Sequence, residues 1–100
     1  MNEPRLLVIT VGPALEGRLS DWLIDLDPPI GFSSSAVNGH GLALENFTLA
    51  EQVRGSRRRI QFQVQTDAAR AERILDALAE EFPAADMHFW MIPLIAIAPR

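Results

Sequence analysis

The residues best suited to binding chemistry are a cluster of arginines that follows a glycine-bearing segment. Three consecutive arginines occupy positions 57 to 59, and Arg54 precedes them. Guanidinium groups hold phosphate or carboxylate through charge-assisted hydrogen bonds, and glycine allows a backbone to approach a ligand closely. We therefore predict a site for a small anion. The predicted binding residues are Gly39, His40, Gly41, Arg57, Arg58 and Arg59.

The arginine cluster also has a plainer interpretation. The side chains would then be the solvated start of a strand, paired with Glu45, Glu51 or a neighbouring subunit. Alternation along a strand places Arg57 and Arg59 on one face and Arg58 on the other. The three guanidinium groups therefore cannot all serve one ligand from a single subunit.

A second candidate chemistry is metal binding by the two histidines, His40 and His88. Imidazole suits copper, zinc or cobalt, and Met87 and Met91 would add thioethers for copper. On a strand, however, Met87 and Met91 lie on the face opposite His88. The histidines are also far apart in the sequence, so spacing gives metal binding no support, and a subunit interface that brings His40 and His88 together would favour it.

Catalysis is not indicated by any motif. No nucleophile stands at a recognisable spacing from a histidine base, and no carboxylate pair lies in an apolar setting that would separate acid and base roles. The serines at 33 to 35 are most simply strand residues. We expect a protein that is not an enzyme, and the sequence does not specify a cofactor.

Composition indicates a globular protein. The chain has 100 residues, 48% hydrophobic and 22% charged, and we interpret residues 1–100 as a single domain. A formal net charge of −4 argues against nucleic acid as a partner. Without cysteine, a leader-like start or an apolar run of the roughly 20 residues that span a bilayer, we expect a cytoplasmic protein with no membrane insertion.

Hydrophobic periodicity supplies the elements that would position these residues. The predicted elements are strands over 5–11, 32–37, 58–66 and 87–98, helices over 14–26 and 68–82, a turn over 38–41, and a short helical turn after Thr48 with a capping-box pattern. Pro13 is predicted to open the first helix and Asp67 to cap the second. Strand, helix, strand, strand, helix, strand is the order of a ferredoxin-like α+β fold. That order places the first and third strands centrally in an antiparallel sheet, with both helices on one face.

The other face of the sheet is predicted to lack cover. Three glutamines alternate with the core residues of the third strand, where they would pair with symmetry mates, line a wet central channel or simply face solvent. The last strand is apolar on both faces. Large exposed apolar surfaces usually mark interfaces. We therefore predict self-association through this face. The predicted interface residues are Gln61, Gln63, Gln65, Trp90 and Ile92.

Several motifs spread over nearly the whole chain carry a resemblance to a known group of proteins. They are Gly12-Pro13-Ala14-Leu15-Glu16, Asp21-Trp22-Leu23, Gly31-Phe32, Val37-Asn38-Gly39-His40-Gly41, Leu49-Ala50-Glu51-Gln52-Val53, Arg57-Arg58-Arg59 with Gln61-Phe62-Gln63-Val64, and His88-Phe89-Trp90 with Pro93. In them the chain resembles the PII-like superfamily, which includes nitrogen regulatory protein PII and CutA-like folds. It looks more closely like a small family within it that is often encoded beside heavy-metal efflux pumps of the resistance-nodulation-division (RND) type.

The resemblance implies a homotrimer in which a connection over residues 39–56 corresponds to the T-loop of PII, with Gly39 and Gly41 at its base. In PII proteins the clefts between subunits bind adenine nucleotides, and the T-loop reports the ligand to a transporter or enzyme. The chain departs from PII in two respects. It lacks the glycine- and arginine-rich phosphate segment before the last strand, and it has no tyrosine, which excludes uridylylation at tyrosine.

These observations predict a PII-like signalling protein. It would bind a small anion or nucleotide at subunit clefts and regulate a membrane transporter such as a heavy-metal efflux pump. Two alternatives stay open: a metal-binding sensor or buffer for copper, zinc or cobalt, and a trimeric adaptor without a ligand.

Overall fold

The computed structural model describes residues 3–41, 48–54 and 56–100, which form one antiparallel sheet with helices on one of its faces. The strands are β1 (Pro4–Val11), β2 (Gly31–His40), β3 (Ser56–Asp67) and β4 (Met87–Pro93). The helices are α1 (Glu16–Ile24), α2 (Leu49–Arg54) and α3 (Ala68–Glu81), and a 3₁₀ turn (Pro13–Leu15) precedes α1.

The strand order is β2-β3-β1-β4, which confirms the predicted central position of β1 and β3 and the edge position of β4. Ile9 of β1 lies opposite Phe62 of β3 on one side and Phe89 of β4 on the other. This register aligns the odd residues of β1 with the even residues of β3. The resulting α+β arrangement is the predicted ferredoxin-like fold.

The core lies between this aligned face and the two long helices. Leu7, Ile9, Phe62 and Val64 are fully buried on the sheet. They meet an apolar stripe that the helical period places on one side of α1 and α3. The buried helix residues in this cluster are Leu19, Leu23, Ile74 and Leu78. Each such side chain contributes about 1.5–3 kcal/mol when removed from water, so this contact holds the helices on one face.

Local signals begin the helices as predicted. Pro13 opens the 3₁₀ turn before α1, where its missing N–H is not needed. Asp67 caps α3 by accepting a hydrogen bond from the backbone N–H of Arg70 at 2.8 Å. The capping box of α2 is also formed, since the Thr48 N–H donates to Glu51 Oε1 and the Glu51 N–H donates to Thr48 Oγ1.

The predicted connection over residues 39–56 is shorter than the sequence suggested. β2 continues to His40, which lies opposite Ser56, so Gly39 and His40 are strand residues and the connection covers 41–55. The prediction of a turn over 38–41 was wrong for residues 38–40, because ladder pairing with β3 holds these residues extended. Within 38–41 only Gly41, at φ +72°, has the left-handed conformation that favours glycine.

The last strand is also shorter than predicted, since β4 ends at Pro93 and residues 94–100 have no regular structure. Among the described strands its neighbour is β1, which begins at Pro4, and the Leu94 N–H donates to the Pro4 carbonyl as the final link. β1 therefore offers residues 95–98 no further partner. In the described part of the chain, no helix is long and apolar enough to cross a membrane.

Candidate functional site

The candidate site lies at one end of the sheet, where four chain segments meet. β1 and β2 end there and β3 and β4 begin there, because neighbouring strands are antiparallel. The site is on the face opposite the helices, which we call the glutamine face because it carries Gln61, Gln63 and Gln65. The first residues of β3 and the residues around the start of β4 supply its charged side chains.

Two arginines of β3 converge on one carboxylate. Arg57 donates from Nη2 and Arg59 from Nη1, each to Asp86 Oδ2 at 2.8 Å. Charge-assisted hydrogen bonds of this length are about twice as strong as neutral ones. The side chain of Asp86 is 49% exposed, so the ion pairs form where the core meets solvent.

Arg59 is the buried member of this group, with a side chain only 2% exposed. Its Nη2 also donates to two backbone carbonyls, that of Thr10 at 3.3 Å and that of Asp86 at 3.2 Å. A buried guanidinium needs acceptors for its donors. Arg59 is therefore held by backbone groups on both β1 and the residue before β4, independently of the carboxylate.

His88 completes the cluster. Its Nε2 lies 3.3 Å from Asp86 Oδ1, on the carboxylate oxygen that the arginines leave free. Asp86 and His88 are two residues apart and project from the same side of the chain at β4. The Asp86 carboxylate thus has cationic or donor groups around both of its oxygens.

This environment changes the acidity of Asp86. Partial burial on its own raises the pKa of the carboxyl, but the hydrogen bond and charge of Arg59, followed by those of Arg57, outweigh it. The net effect is a pKa below the ordinary value of 3.8. The carboxylate is therefore ionised at neutral pH, and it neutralises part of the arginine charge.

The predicted anion-binding residues divide between the two faces of the sheet. Arg57 and Arg59 lie on the glutamine face, and Arg58 is exposed on the helix side, as alternation predicted. Arg58 there lines an open pocket of about 320 Å³ with Pro13, Glu16, Ala36 and Ile60. Gly39 lies opposite Arg57 in the register, which puts the end of β2 directly beside the site.

The two histidines are not brought together within one chain. His40 lies on the helix side of the sheet with the other even-numbered residues of β2, such as Phe32. His88 lies on the glutamine face. They also sit on opposite edge strands. Among the described residues, no group of three or more histidine and acidic side chains is arranged to hold a metal ion.

Large apolar side chains of the described residues are exposed on the glutamine face. Trp90 is 70% exposed and lies in one cross-strand row with Val8 and Gln63. Ile92 lies in the next row beside Leu6 and Gln65, and it is also exposed. The predicted interface residues thus form one continuous surface next to the charged site.

Asp86 is the site residue that the sequence analysis missed. The partners considered for the arginines were Glu45, which lies outside the described residues, and Glu51. Asp86 directly precedes the last strand. Because β1 pairs with both β3 and β4, and Val11 lies opposite both Ile60 and Met87, Asp86 is level with Arg59 across the end of β1. Asp86 could therefore be recognised as the partner of the arginines only once both the strand order and the register were known.

The sheet order and the two long helices on one face define the class of the protein, an α+β protein with the ferredoxin-like, PII-like fold. Within that class the chain belongs to the DUF3240 family, described as a protein of unknown function, whose sequence profile matches residues 1–98.

Solved structures share the fold over most of the chain. A DUF3240 family protein from Shewanella baltica is 23% identical with a TM-score of 0.77, and the match covers 100% of this chain and 99% of that one. A "putative PII-like signaling protein" from Thermus thermophilus is 24% identical with a TM-score of 0.63, covering 94% and 91%. CutA from Synechococcus elongatus is 14% identical with a TM-score of 0.59, covering 95% and 80%.

These likenesses establish the fold alone, because all three identities are low. They confirm the predicted PII-like architecture. The predicted link to heavy-metal efflux pumps stays a prediction. A search of curated proteins finds no match.

Proposed function

We propose that the protein is a PII-like regulator, not an enzyme, that binds a small anion between the subunits of a homotrimer and controls a membrane transporter. The observation that carries the proposal is the convergence of Arg57 and Arg59 beside the end of β2, on the sheet face opposite the two long helices. The name of the Thermus thermophilus structure, a "putative PII-like signaling protein", supports the same type of activity.

The trimer is supported by the surface around Trp90. A large aromatic side chain exposed beside Val8 and Ile92 gains free energy when it is removed from water, at about 25 cal/mol per Å² of apolar surface. Burying this surface in neighbouring subunits would also bring the glutamine rows of different copies together. The charged cluster adjoins the same surface, so a cleft between subunits would contain Arg57, Arg59 and His88.

The coupling to a transporter is supported by the position of the connection over 41–55. It leaves β2 after His40 and enters β3 at Ser56, which are register partners, and the next pair in the ladder is Gly39 and Arg57. An anion that binds Arg57 therefore lies at the base of the connection. Its helix α2 presents Leu49 at 78% exposure, an apolar side chain suited to docking on another protein.

The first experiment measures mass by light scattering and then binding of adenine nucleotides by calorimetry. We expect a trimer near three times 11.1 kDa and nucleotide heat that is lost in Arg57→Ala. The matched control is Arg73→Ala, an exposed arginine of α3 on the helix side. Binding that survives Arg57→Ala, or that is lost only in Arg58→Ala, would place the anion elsewhere and contradict the proposed site.

The transporter step needs a defined partner. We expect an RND-type heavy-metal efflux pump, purified in detergent, to be retained by the immobilised wild-type protein and lost with Leu49→Arg. Ile24→Arg is the control, since Ile24 is similarly exposed, at 65%, on α1. Equal retention by both variants would remove α2 as the docking element.

A metal sensor is the second candidate, and one observation favours it. His88 Nε2 and Asp86 Oδ1 stand 3.3 Å apart on an exposed edge and would supply two ligands of a metal site. Another subunit would have to add the rest, with His40 as the predicted donor. Calorimetry with copper, zinc and cobalt tests this: heat lost in both His40→Ala and His88→Ala supports it. If neither nucleotide nor metal binds while the pump is retained, the ligand-free adaptor remains.

A further inference from the structure

The arginine site of this protein already contains an anion of its own, the carboxylate of Asp86. Oδ2 accepts hydrogen bonds from both Arg57 and Arg59, and Oδ1 lies next to His88. A phosphate or carboxylate group from solution needs the same three side chains. It would meet a negative charge where it must bind.

The buried arginine of this arrangement, Arg59, is held by backbone groups, whereas the carboxylate is replaceable. Arg59 is buried and keeps two backbone acceptors, the carbonyls of Thr10 and Asp86, whatever the carboxylate does. The Asp86 side chain is half exposed and belongs to the connection between α3 and β4, outside regular structure. Rotation of this one side chain into solvent would vacate the guanidinium donors without disturbing a strand.

We propose that Asp86 is a built-in competitor for the anion site, so that an oxyanion binds at Arg57, Arg59 and His88 by displacing the Asp86 carboxylate. This inference rests on the proposed function and adds a mechanism that sets the anion concentration at which the site is filled. An anion with several oxygens, such as a phosphate group, can accept the hydrogen bonds that the Asp86 carboxylate accepts in its absence. It binds only when its concentration is high enough to displace that carboxylate.

The binding test uses inorganic phosphate and calorimetry on the complete chain. We expect Asp86→Asn to bind phosphate about tenfold more tightly than the wild type, since the charge-assisted hydrogen bonds of the competitor are replaced by weaker neutral ones. Asp76→Asn removes the same charge from the exposed side of α3 and should bind like the wild type. Adding Arg57→Ala to Asp86→Asn should abolish the gain.

A second measurement uses the unmodified protein and does not depend on the variant folding. The ¹³C chemical shift of the Asp86 carboxyl is followed while inorganic phosphate is added. Displacement predicts a shift toward the value of a solvated aspartate, with the same midpoint as the binding heat.

The outcomes separate this inference from the proposed function. If the wild type binds phosphate and Asp86→Asn binds it equally or more weakly, Asp86 positions the arginines and does not compete with the anion. An Asp86 carboxyl signal that does not move during the titration would mean the same. Either result would overturn the competitor role of Asp86 and leave the anion site standing. Absence of phosphate binding in both proteins would overturn the anion site as well. A tighter Asp86→Asn variant whose gain survives Arg57→Ala would place the site elsewhere and refute both.

Discussion

Arg59 and Asp86 are joined by a 2.8 Å hydrogen bond between Nη1 and Oδ2, although they are 27 residues apart in the chain. Arg59 lies near the start of β3 and Asp86 directly precedes β4, and these two strands are not neighbours in the sheet because β1 lies between them. The bond passes the end of β1, whose Thr10 carbonyl accepts from the same guanidinium. One buried arginine thus ties three strands together at the end of the sheet where the candidate site lies.

Replacing Arg59 should destabilise the fold. Arg59→Ala removes the hydrogen bonds to Asp86 and leaves the Thr10 carbonyl without this donor, so we expect a loss of about 2–3 kcal/mol in the free energy of unfolding, measured by urea denaturation. Arg58→Ala, an exposed neighbour on the opposite face, should stay within about 0.5 kcal/mol of the wild type. Similar losses in the two variants would show that the buried network adds little.

Stability should depend on the ionisation of Asp86. The pKa of Asp86 is lower in the folded protein than its ordinary value of 3.8, because the guanidinium groups of Arg59 and Arg57 outweigh the opposing effect of burial. The folded state therefore binds this proton less readily than the unfolded state, and stability rises with pH through this range. The contribution is complete above about pH 4 and is lost as pH falls through the lowered folded pKa.

Urea denaturation of wild type and Asp86→Asn between about pH 6 and about pH 2.5 measures this effect, a range that brackets the ordinary carboxyl pKa. Among the described residues, Asp86 faces the guanidinium groups of Arg57 and Arg59 from β3 and the imidazole of His88 from β4. We expect the stability difference between the two proteins to shrink as the pH falls below about 4. A difference that stays constant over the whole range would mean that the ion pairs do not favour the charged carboxylate.

Disrupting the exposed apolar surface should change the mass in solution. Trp90→Glu places a charge in the row with Val8 and Gln63, and burial of that charge in an interface is costly. We expect light scattering to show a shift from trimer to monomer. Ile24→Glu changes a similarly exposed apolar residue on α1 and should leave the trimer intact. A wild-type monomer would remove the basis for a site between subunits.

The capping box of α2 should control local and not global stability. Thr48→Ala removes the side-chain acceptor of the Glu51 N–H, a change that costs about 0.5–2 kcal/mol of helix stability. Because α2 lies in a connection outside the core, we expect faster hydrogen exchange of its amides with an unchanged urea midpoint. Ser35→Ala, on an exposed strand position, should alter neither quantity. A lower midpoint in Thr48→Ala would mean that α2 stabilises the whole fold.

Much of the fold follows from local pattern. The alternation of Ile60, Phe62 and Val64 with glutamines predicted β3 and its two faces, and the cap at Asp67 predicted where α3 begins. Element ends were predicted less well. β2 runs through Gly39 to His40 because pairing with β3 holds a weakly patterned segment extended, and β4 stops at Pro93 because β1 offers no further partner.

The candidate site shows most directly which features cannot be predicted from the sequence. The sequence by itself determined that the arginines alternate between faces and that Trp90 and Ile92 lie on an apolar last strand, because these are properties of a two-residue period and of side-chain type. Only the tertiary structure decided that Asp86 fills the arginine site and that His40 and His88 lie on opposite faces. These relationships depend on the register between strands that are distant in the chain, and packing of the common core fixes that register.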